Sequence, residues 1–202
     1  MTGSDVFEQR RVDLLLALAY AADDPFHAVI GYGHGIELMA VALGVRRHNP
    51  MRRGPAIGSV LCFGTREHGN VTLARAYLAR NAMIMKQRAR RKDGPIPITD
   101  VVRFIDGGSD RDGWEEEIAA LVRGGPERFG LIVHLGVGHP EEIRADINLM
   151  LPMMSDRTEL VLCGLDKRHP RSVFKTLARK DGWSGIFRPG IALGELRRLP
   201  IA

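Results

Sequence analysis

Five short, largely apolar segments recur along this sequence, and a longer segment with helical character follows each of them. Nearly continuous apolar runs of this length are typical of strands that are covered on both faces, as in parallel sheets. Alternation of such strands with helices predicts βαβ units with right-handed crossovers. The sequence therefore predicts an α/β fold with a doubly wound, mostly parallel sheet of about five to seven strands and helices on both faces. The predicted strands are Phe26–Ile30, Ser59–Phe63, Val101–Ile105, Leu131–Leu135 and Glu159–Cys163.

Local signals place the helices around these strands. Asp5 and Glu8 have the spacing of a capping box that begins an N-terminal helix, and Pro25 ends that region. Gly44 is suited to the position that follows a helix, so the helix after the first strand is predicted to end at Leu43. The next segment, 46–56, is predicted to be a loop. The last segment, 183–196, is compatible with added antiparallel strands.

Length and composition predict one globular domain over residues 1–202. We expect an N-terminal helix in 1–24, the βα core in 25–180 and a C-terminal extension in 181–202. No apolar run approaches the roughly 20 residues that span a bilayer, and 14–22 lacks the layout of a signal peptide. We therefore expect no membrane span and a cytoplasmic location. Two cysteines are too few for a disulfide framework and are expected to be buried thiols.

The net charge of +5 comes from two basic segments, 46–53 and 86–92. Without the nine lysines and arginines of these segments, 20 basic residues remain against 24 acidic ones. Basic patches attract nucleic acid, phosphorylated substrates or anionic membrane surfaces, although solvated loops have the same composition. Nucleic acid is therefore one predicted partner.

Candidate ligand-binding residues follow the predicted strands, because open α/β sheets bind ligands outside the carboxyl ends of their strands. Gly31, Gly33 and Gly35 follow the first strand and would let a ligand approach the backbone and the start of a helix. A tight strand–helix turn explains the same glycines. After the second strand, the Glu67 carboxylate could accept hydrogen bonds from ribose hydroxyls. After the third, Asp106 and the loop through Ser109 could meet the edge of an adenine ring.

These segments resemble class I S-adenosylmethionine (SAM)-dependent methyltransferases, especially the small-molecule and sugar O-methyltransferase branch that includes cephalosporin hydroxylase-like proteins. Residues 29–37 resemble the first glycine-rich motif of that Rossmann-like fold, and 102–109 resemble its third-strand segment. Residues 129–139, followed by Asp146 and Pro152, resemble its fourth-strand segment. The resemblance spans about residues 25 to 180 and implies SAM as the cofactor, bound by Gly31, Gly33, Gly35, Glu67, Asp106 and Ser109.

The chain departs from that family where acids are usual. Gly130 and Leu135 stand where the family has aspartates in and after strand 4, and the fifth strand ends in Cys163 rather than a His-Asp pair. Asp166 offers a carboxylate to a histidine–metal site, but no tight ligand spacing supports one, so no metal site is predicted.

Five histidines lie in or just after predicted strands and are expected to converge on one edge of the sheet. Histidine titrates near neutral pH and can take a proton from an attacking hydroxyl. The resemblance places His139 over the ligand crevice expected at the carboxyl ends of the strands and implies that it is the catalytic base. Alternatively, the five histidines are ordinary polar residues of loops. The five are His34, His68, His134, His139 and His169.

The leading functional hypothesis is SAM-dependent O-methylation of a small-molecule or sugar hydroxyl, by a chain that can form a homo-oligomer. One alternative is a non-catalytic, methyltransferase-like binding or partner protein. Another is an RNA-associated methyltransferase or binder that uses the basic segments. An NAD-dependent dehydrogenase is less favoured, because the glycine spacing lacks the last glycine of the dinucleotide motif.

Overall fold

The computed structural model describes residues 3–22, 24, 26–33, 35–48, 59–65, 71–88, 98–107, 111–125 and 128–200. Seven strands form one sheet: β1 (Phe26–Ile30), β2 (Val60–Gly64), β3 (Val102–Asp106), β4 (Phe129–His134), β5 (Glu159–Leu162), β6 (Trp183–Arg188) and β7 (Leu193–Arg198). The helices are α1 (Gly3–Ala21), α2 (Ile36–His48), α3 (Val71–Arg88), α4 (Ile98–Val101), α5 (Asp112–Gly124), α6 (Pro140–Met150) and α7 (Arg168–Leu177). Short 3₁₀ turns span Leu151–Met153 and Pro189–Ile191.

The strand order across the sheet is β3-β2-β1-β4-β5-β7-β6. The first five strands are parallel, whereas β7 pairs antiparallel with both β5 and β6. The order reverses between β1 and β4, which are neighbours although two strands separate them in sequence. The predicted doubly wound, mostly parallel fold is therefore confirmed, and the C-terminal segment supplies the antiparallel strands.

Two apolar clusters cover the two faces of the sheet. Alternate strand residues point to opposite faces, so Val29 and Val133 join α1 and α2 on one face, while Ile30 and Ile132 join α5 and α6 on the other. The described part of the chain contains no helix with the length and apolar composition needed to cross a membrane.

Gly44 does not end α2, contrary to the sequence-based expectation. The helix continues to His48 and includes the start of the predicted loop. A Cβ atom at Gly44 would lie 2.5 Å from the Leu16 carbonyl oxygen and 2.7 Å from the Ala19 Cβ. The glycine is thus needed for the close approach of α1 and α2, a tertiary constraint that outweighs its preference for helix ends.

The N-terminal capping prediction is also wrong. Helix α1 begins at Gly3, so Asp5 lies within its first turn. A carboxylate in that turn still stabilises the helix, because it interacts with the positive end of the helix dipole.

Candidate functional site

The strand order reverses between β1 and β4, so a ligand crevice is expected outside the carboxyl ends of these two strands. In doubly wound sheets the loops that leave two such neighbouring strands diverge and open a ligand-binding groove. Here those loops are the segment between β1 and α2, of which 31–33 and 35 are described, and residues 135–139, which lead into α6. Two residues tie the loops to the sheet, since Gly31 N–H donates to the Phe63 carbonyl and Leu135 N–H donates to the Ile30 carbonyl.

The glycine-rich turn requires glycine by conformation as well as by space. Gly31, Gly33 and Gly35 have φ values of 107°, 49° and 88°, a region that other residues rarely adopt. A Cβ atom at Gly33 would lie 2.9 Å from the Leu135 Cδ1, and one at Gly35 would lie 3.3 Å from the Ala74 backbone. The turn therefore packs directly on the residue after β4 and on α3, with its backbone next to the start of α2.

Tyr32 extends from this turn across the end of β2. Its hydroxyl donates to the Gly64 carbonyl at 3.1 Å, and a Cβ atom at Gly64 would lie 2.3 Å from the Tyr32 ring. Burial, and secondarily the nearby Asp106 carboxylate, raise the pKa of the Tyr32 phenol to about 12. Asp106 itself is exposed at the end of β3. Asp106 and Tyr32 thus lie near each other at the carboxyl ends of β3 and β1.

Glu37 lies in the first turn of α2, behind the glycine turn. Its carboxylate pairs with Arg11 of α1 at 2.8 Å, and only 12% of its side chain is exposed. The carboxylate also contributes, after burial, to raising the pKa of the Cys163 thiol to about 12. The sequence motif contained Glu37, but its partner on α1 is distant in sequence and could not be identified from spacing.

A buried series of hydrogen-bonded polar groups joins β4, α6 and the start of α5. His134 Nε2 donates to Asp146 at 3.1 Å, and the Arg111 Nε donates to the other carboxylate oxygen at 2.5 Å. The Gly136 N–H donates to His134 Nδ1 at 2.9 Å. Arg111 has a left-handed backbone, with φ of 67°. These hydrogen bonds fix the loop after β4, which carries Leu135 and His139.

The structure places the predicted histidines differently from one another. His134 has no exposed surface, so the expectation that it faces the crevice edge is wrong; its ring is held by Gly136 and Asp146 inside the domain. The His139 side chain is exposed at the start of α6, where the backbone N–H of this residue donates to the Glu142 carboxylate at 2.5 Å. Its ring lies beside that of His169, with a centroid distance of 5.2 Å. These two histidines do converge.

Four predicted residues lie outside the described part of the chain: His34, Glu67, His68 and Ser109. Gly31, Gly33 and Gly35 lie in the turn after β1, Asp106 ends β3, and His139 lies on the loop between β4 and α6. Within the described ranges, no three His, Cys, Asp or Glu side chains are grouped so that they could hold a metal ion.

No protein-family model matches this chain, and no curated protein matches its sequence. Solved structures do resemble it. The O-methyltransferase TomG from Streptomyces achromogenes, involved in tomaymycin synthesis and solved with SAM, is 14% identical with a TM-score of 0.61, over 95% of this chain and 80% of TomG.

Two further structures are similar to the same degree. An O-methyltransferase from Bacillus cereus, solved with S-adenosylhomocysteine (SAH), is 13% identical with a TM-score of 0.60, over 94% of this chain and 80% of that protein. A putative O-methyltransferase from Klebsiella pneumoniae is 13% identical with a TM-score of 0.56, over 100% and 82% of the two chains. The chain therefore has the Rossmann-like fold found in these O-methyltransferases, as the sequence resemblance implied.

Proposed function

We propose that this protein binds SAM and transfers its methyl group to a hydroxyl of a small molecule. The observation that carries the proposal is the glycine turn: three glycines with positive φ lie at the point where the strand order reverses. Two of the similar structures hold SAM or SAH, which supports the same ligand class here.

The described residues fit such a cofactor in part. The backbone of 31–35 and the start of α2 would hold its amino-acid portion, because close approach needs residues without a Cβ and the helix start supplies N–H groups. The exposed Asp106 carboxylate at the end of β3 would accept hydrogen bonds from the nucleoside. Glu67 and Ser109, predicted from the sequence for the same role, remain part of the proposal.

When bound, SAM supplies a methyl group that its sulfonium already activates. The protein's own task is then to position the acceptor and to take its proton. We assign to His139 the role of base that takes the proton of the acceptor hydroxyl. Its side chain is exposed on the loop after β4, and its backbone N–H is anchored to Glu142. His169, whose ring adjoins it, would hold the orientation of that ring.

Calorimetric titration with SAM, SAH and NADH tests the cofactor. We expect SAM and SAH to bind and NADH not to bind. Gly33→Val should abolish SAM binding, whereas Gly182→Val, at an equally left-handed glycine with open space around it, should not. Absence of SAM binding by the folded wild-type protein would refute the proposal.

Methyl transfer from labelled SAM to a panel of hydroxyl compounds tests the reaction. We expect His139→Gln to lower kcat by about 100-fold, in the range for loss of a general base, and to leave SAM affinity unchanged. An unchanged kcat and pH profile in this variant would rule out the assigned base.

A second candidate is a SAM-binding protein without transfer activity. The residues at the ends of β4 and β5 support it, because Leu135 and Cys163 present no ionised group there; burial is the main cause of the raised pKa of the Cys163 thiol. Tight SAM binding with no transfer to any acceptor would favour this candidate.

A further inference from the structure

Helix α7 and the residues that flank it carry a dense set of cations that is separate from the two basic segments of the sequence. Between residues 167 and 180 there are six lysines and arginines and no acid, and all six are exposed. Within the described ranges none of them is paired with a carboxylate. The six are Lys167, Arg168, Arg171, Lys175, Arg179 and Lys180.

Three of these cations share one side of the helix. Arg168, Arg171 and Lys175 are spaced by three and four residues, which places them in a row about 10 Å long at ~1.5 Å per residue. They line a groove of about 450 Å³ together with Ser172 and Asp166. Asp166 is the one acidic group lining the groove, so the groove remains strongly cationic.

An aromatic side chain of β6 lies next to one of these cations. Phe187 is 38% exposed, and the Arg171 guanidinium lies 5.5 Å from its ring centroid. The inner side of this ring packs on Phe174 of α7, with centroids 6.2 Å apart. Phe187 is therefore fixed in place while part of its ring remains open to solvent.

We propose that this surface, the groove of Arg168, Arg171 and Lys175 with Phe187 beside it, binds single-stranded nucleic acid. A row of cations next to a partly exposed aromatic ring is the combination that tracks phosphates and contacts a base. One phosphate group would use only part of a row about 10 Å long, whereas successive phosphates would use all of it. An anionic membrane fits less well, because the apolar side of α7, with Val173 and Phe174, is already buried in the core.

The surface begins beside the crevice. His169 lies in the first turn of α7, and its ring adjoins that of His139. Nucleic acid bound along α7 would thus reach the acceptor side of the crevice. The inference does not rest on the proposed function, since it concerns binding in the absence of SAM.

Fluorescence anisotropy with labelled oligouridylate and oligothymidylate of about 12 nucleotides tests the proposal. The groove variant removes three charges: Arg168→Gln, Arg171→Gln and Lys175→Gln. A matched variant removes three exposed arginines elsewhere: Arg10→Gln, Arg123→Gln and Arg157→Gln. The matched variant controls for net charge, and circular dichroism checks that both variants are folded.

We expect wild-type protein to bind at least one of the two oligonucleotides at about 50 mM salt. The groove variant should bind at least about 10-fold more weakly, and the slope of log affinity against log salt should become shallower by about 2, at roughly 0.7 per phosphate contact. The matched variant should stay within about 3-fold of wild type. Phe187→Leu should weaken binding by about 5-fold with an unchanged salt slope, since stacking releases no counterions.

Three results would overturn the proposal. The first is no binding of either oligonucleotide by wild-type protein. The second is an equal loss of affinity in the groove and matched variants. The third is binding to phosphatidylserine vesicles that an excess of oligonucleotide does not displace, which would assign the surface to a membrane.

Discussion

His134 and Asp146 form a hydrogen bond of 3.1 Å in which neither side chain has exposed surface. Because the Gly136 N–H donates to Nδ1, the ring proton of the neutral imidazole lies on Nε2 and points at the carboxylate. Arg111 occupies the second carboxylate oxygen. This single aspartate therefore connects α6 to the end of β4 and to the start of α5.

Asp146→Asn should destabilise the protein strongly. The substitution removes the negative charge that compensates the largely buried Arg111, and breaking a buried pair in this way costs about 3–5 kcal/mol. Urea denaturation followed by circular dichroism measures the free energy of unfolding. Asp156→Asn, at an exposed carboxylate, should change it by less than about 0.5 kcal/mol. Equal stability of the two variants would show that the buried hydrogen bonds of Asp146 contribute nothing to the free energy of unfolding.

Gly44→Ala and Gly124→Ala should shift stability in opposite directions. Gly44 lies inside α2, where alanine is intrinsically better by about 1 kcal/mol, and Gly124 is the last residue of α5, where the advantage of alanine is smaller. At Gly44 the new methyl group would meet the Leu16 carbonyl at 2.5 Å, so overpacking, which costs about 1–3 kcal/mol, should exceed the gain in propensity. Nothing lies within 4 Å of a Cβ atom at Gly124, so that variant should melt at or above the wild-type temperature. A stabilised Gly44→Ala protein would contradict the close packing of α1 and α2.

The thiols of Cys62 and Cys163 should resist modification in the folded protein. Both are buried and unpaired, and burial raises the pKa of each thiol, that of Cys163 to about 12. Reaction with Ellman's reagent at pH 8 should be at least about 100-fold slower in buffer than in urea, since the thiolate is the reacting form. Rapid modification of the folded protein would show that at least one of the two thiols is accessible to solvent.

Tyr32→Phe should make the protein less sensitive to alkaline pH. Because the phenol pKa is raised to about 12 in the folded state, its stabilising contribution is complete below pH 10 and is lost as pH rises from 10 to 12. The variant should be less stable by about 1 kcal/mol at pH 8, through loss of the bond to the Gly64 carbonyl. That deficit should shrink by pH 11. A deficit that is independent of pH would contradict the burial of the phenol.

The sequence by itself determined the strands and their alternation with helices. Each predicted strand agrees with the structure to within about two residues, because an apolar run that is covered on both faces differs sharply from its surroundings. The glycine turn was also predictable, since Gly31, Gly33 and Gly35 adopt backbone conformations that other residues rarely take.

Only the tertiary structure decided what the remaining polar residues do. His134 and His139 lie only five residues apart in sequence, yet one is buried against Asp146 and the other is exposed beside His169. Likewise Gly44 had the local properties of a helix end, but packing of α1 against α2 placed it inside a helix. Local sequence specifies the preferred backbone conformation and the periodic pattern of apolar residues. The partner of a side chain depends instead on which elements the sheet order brings together.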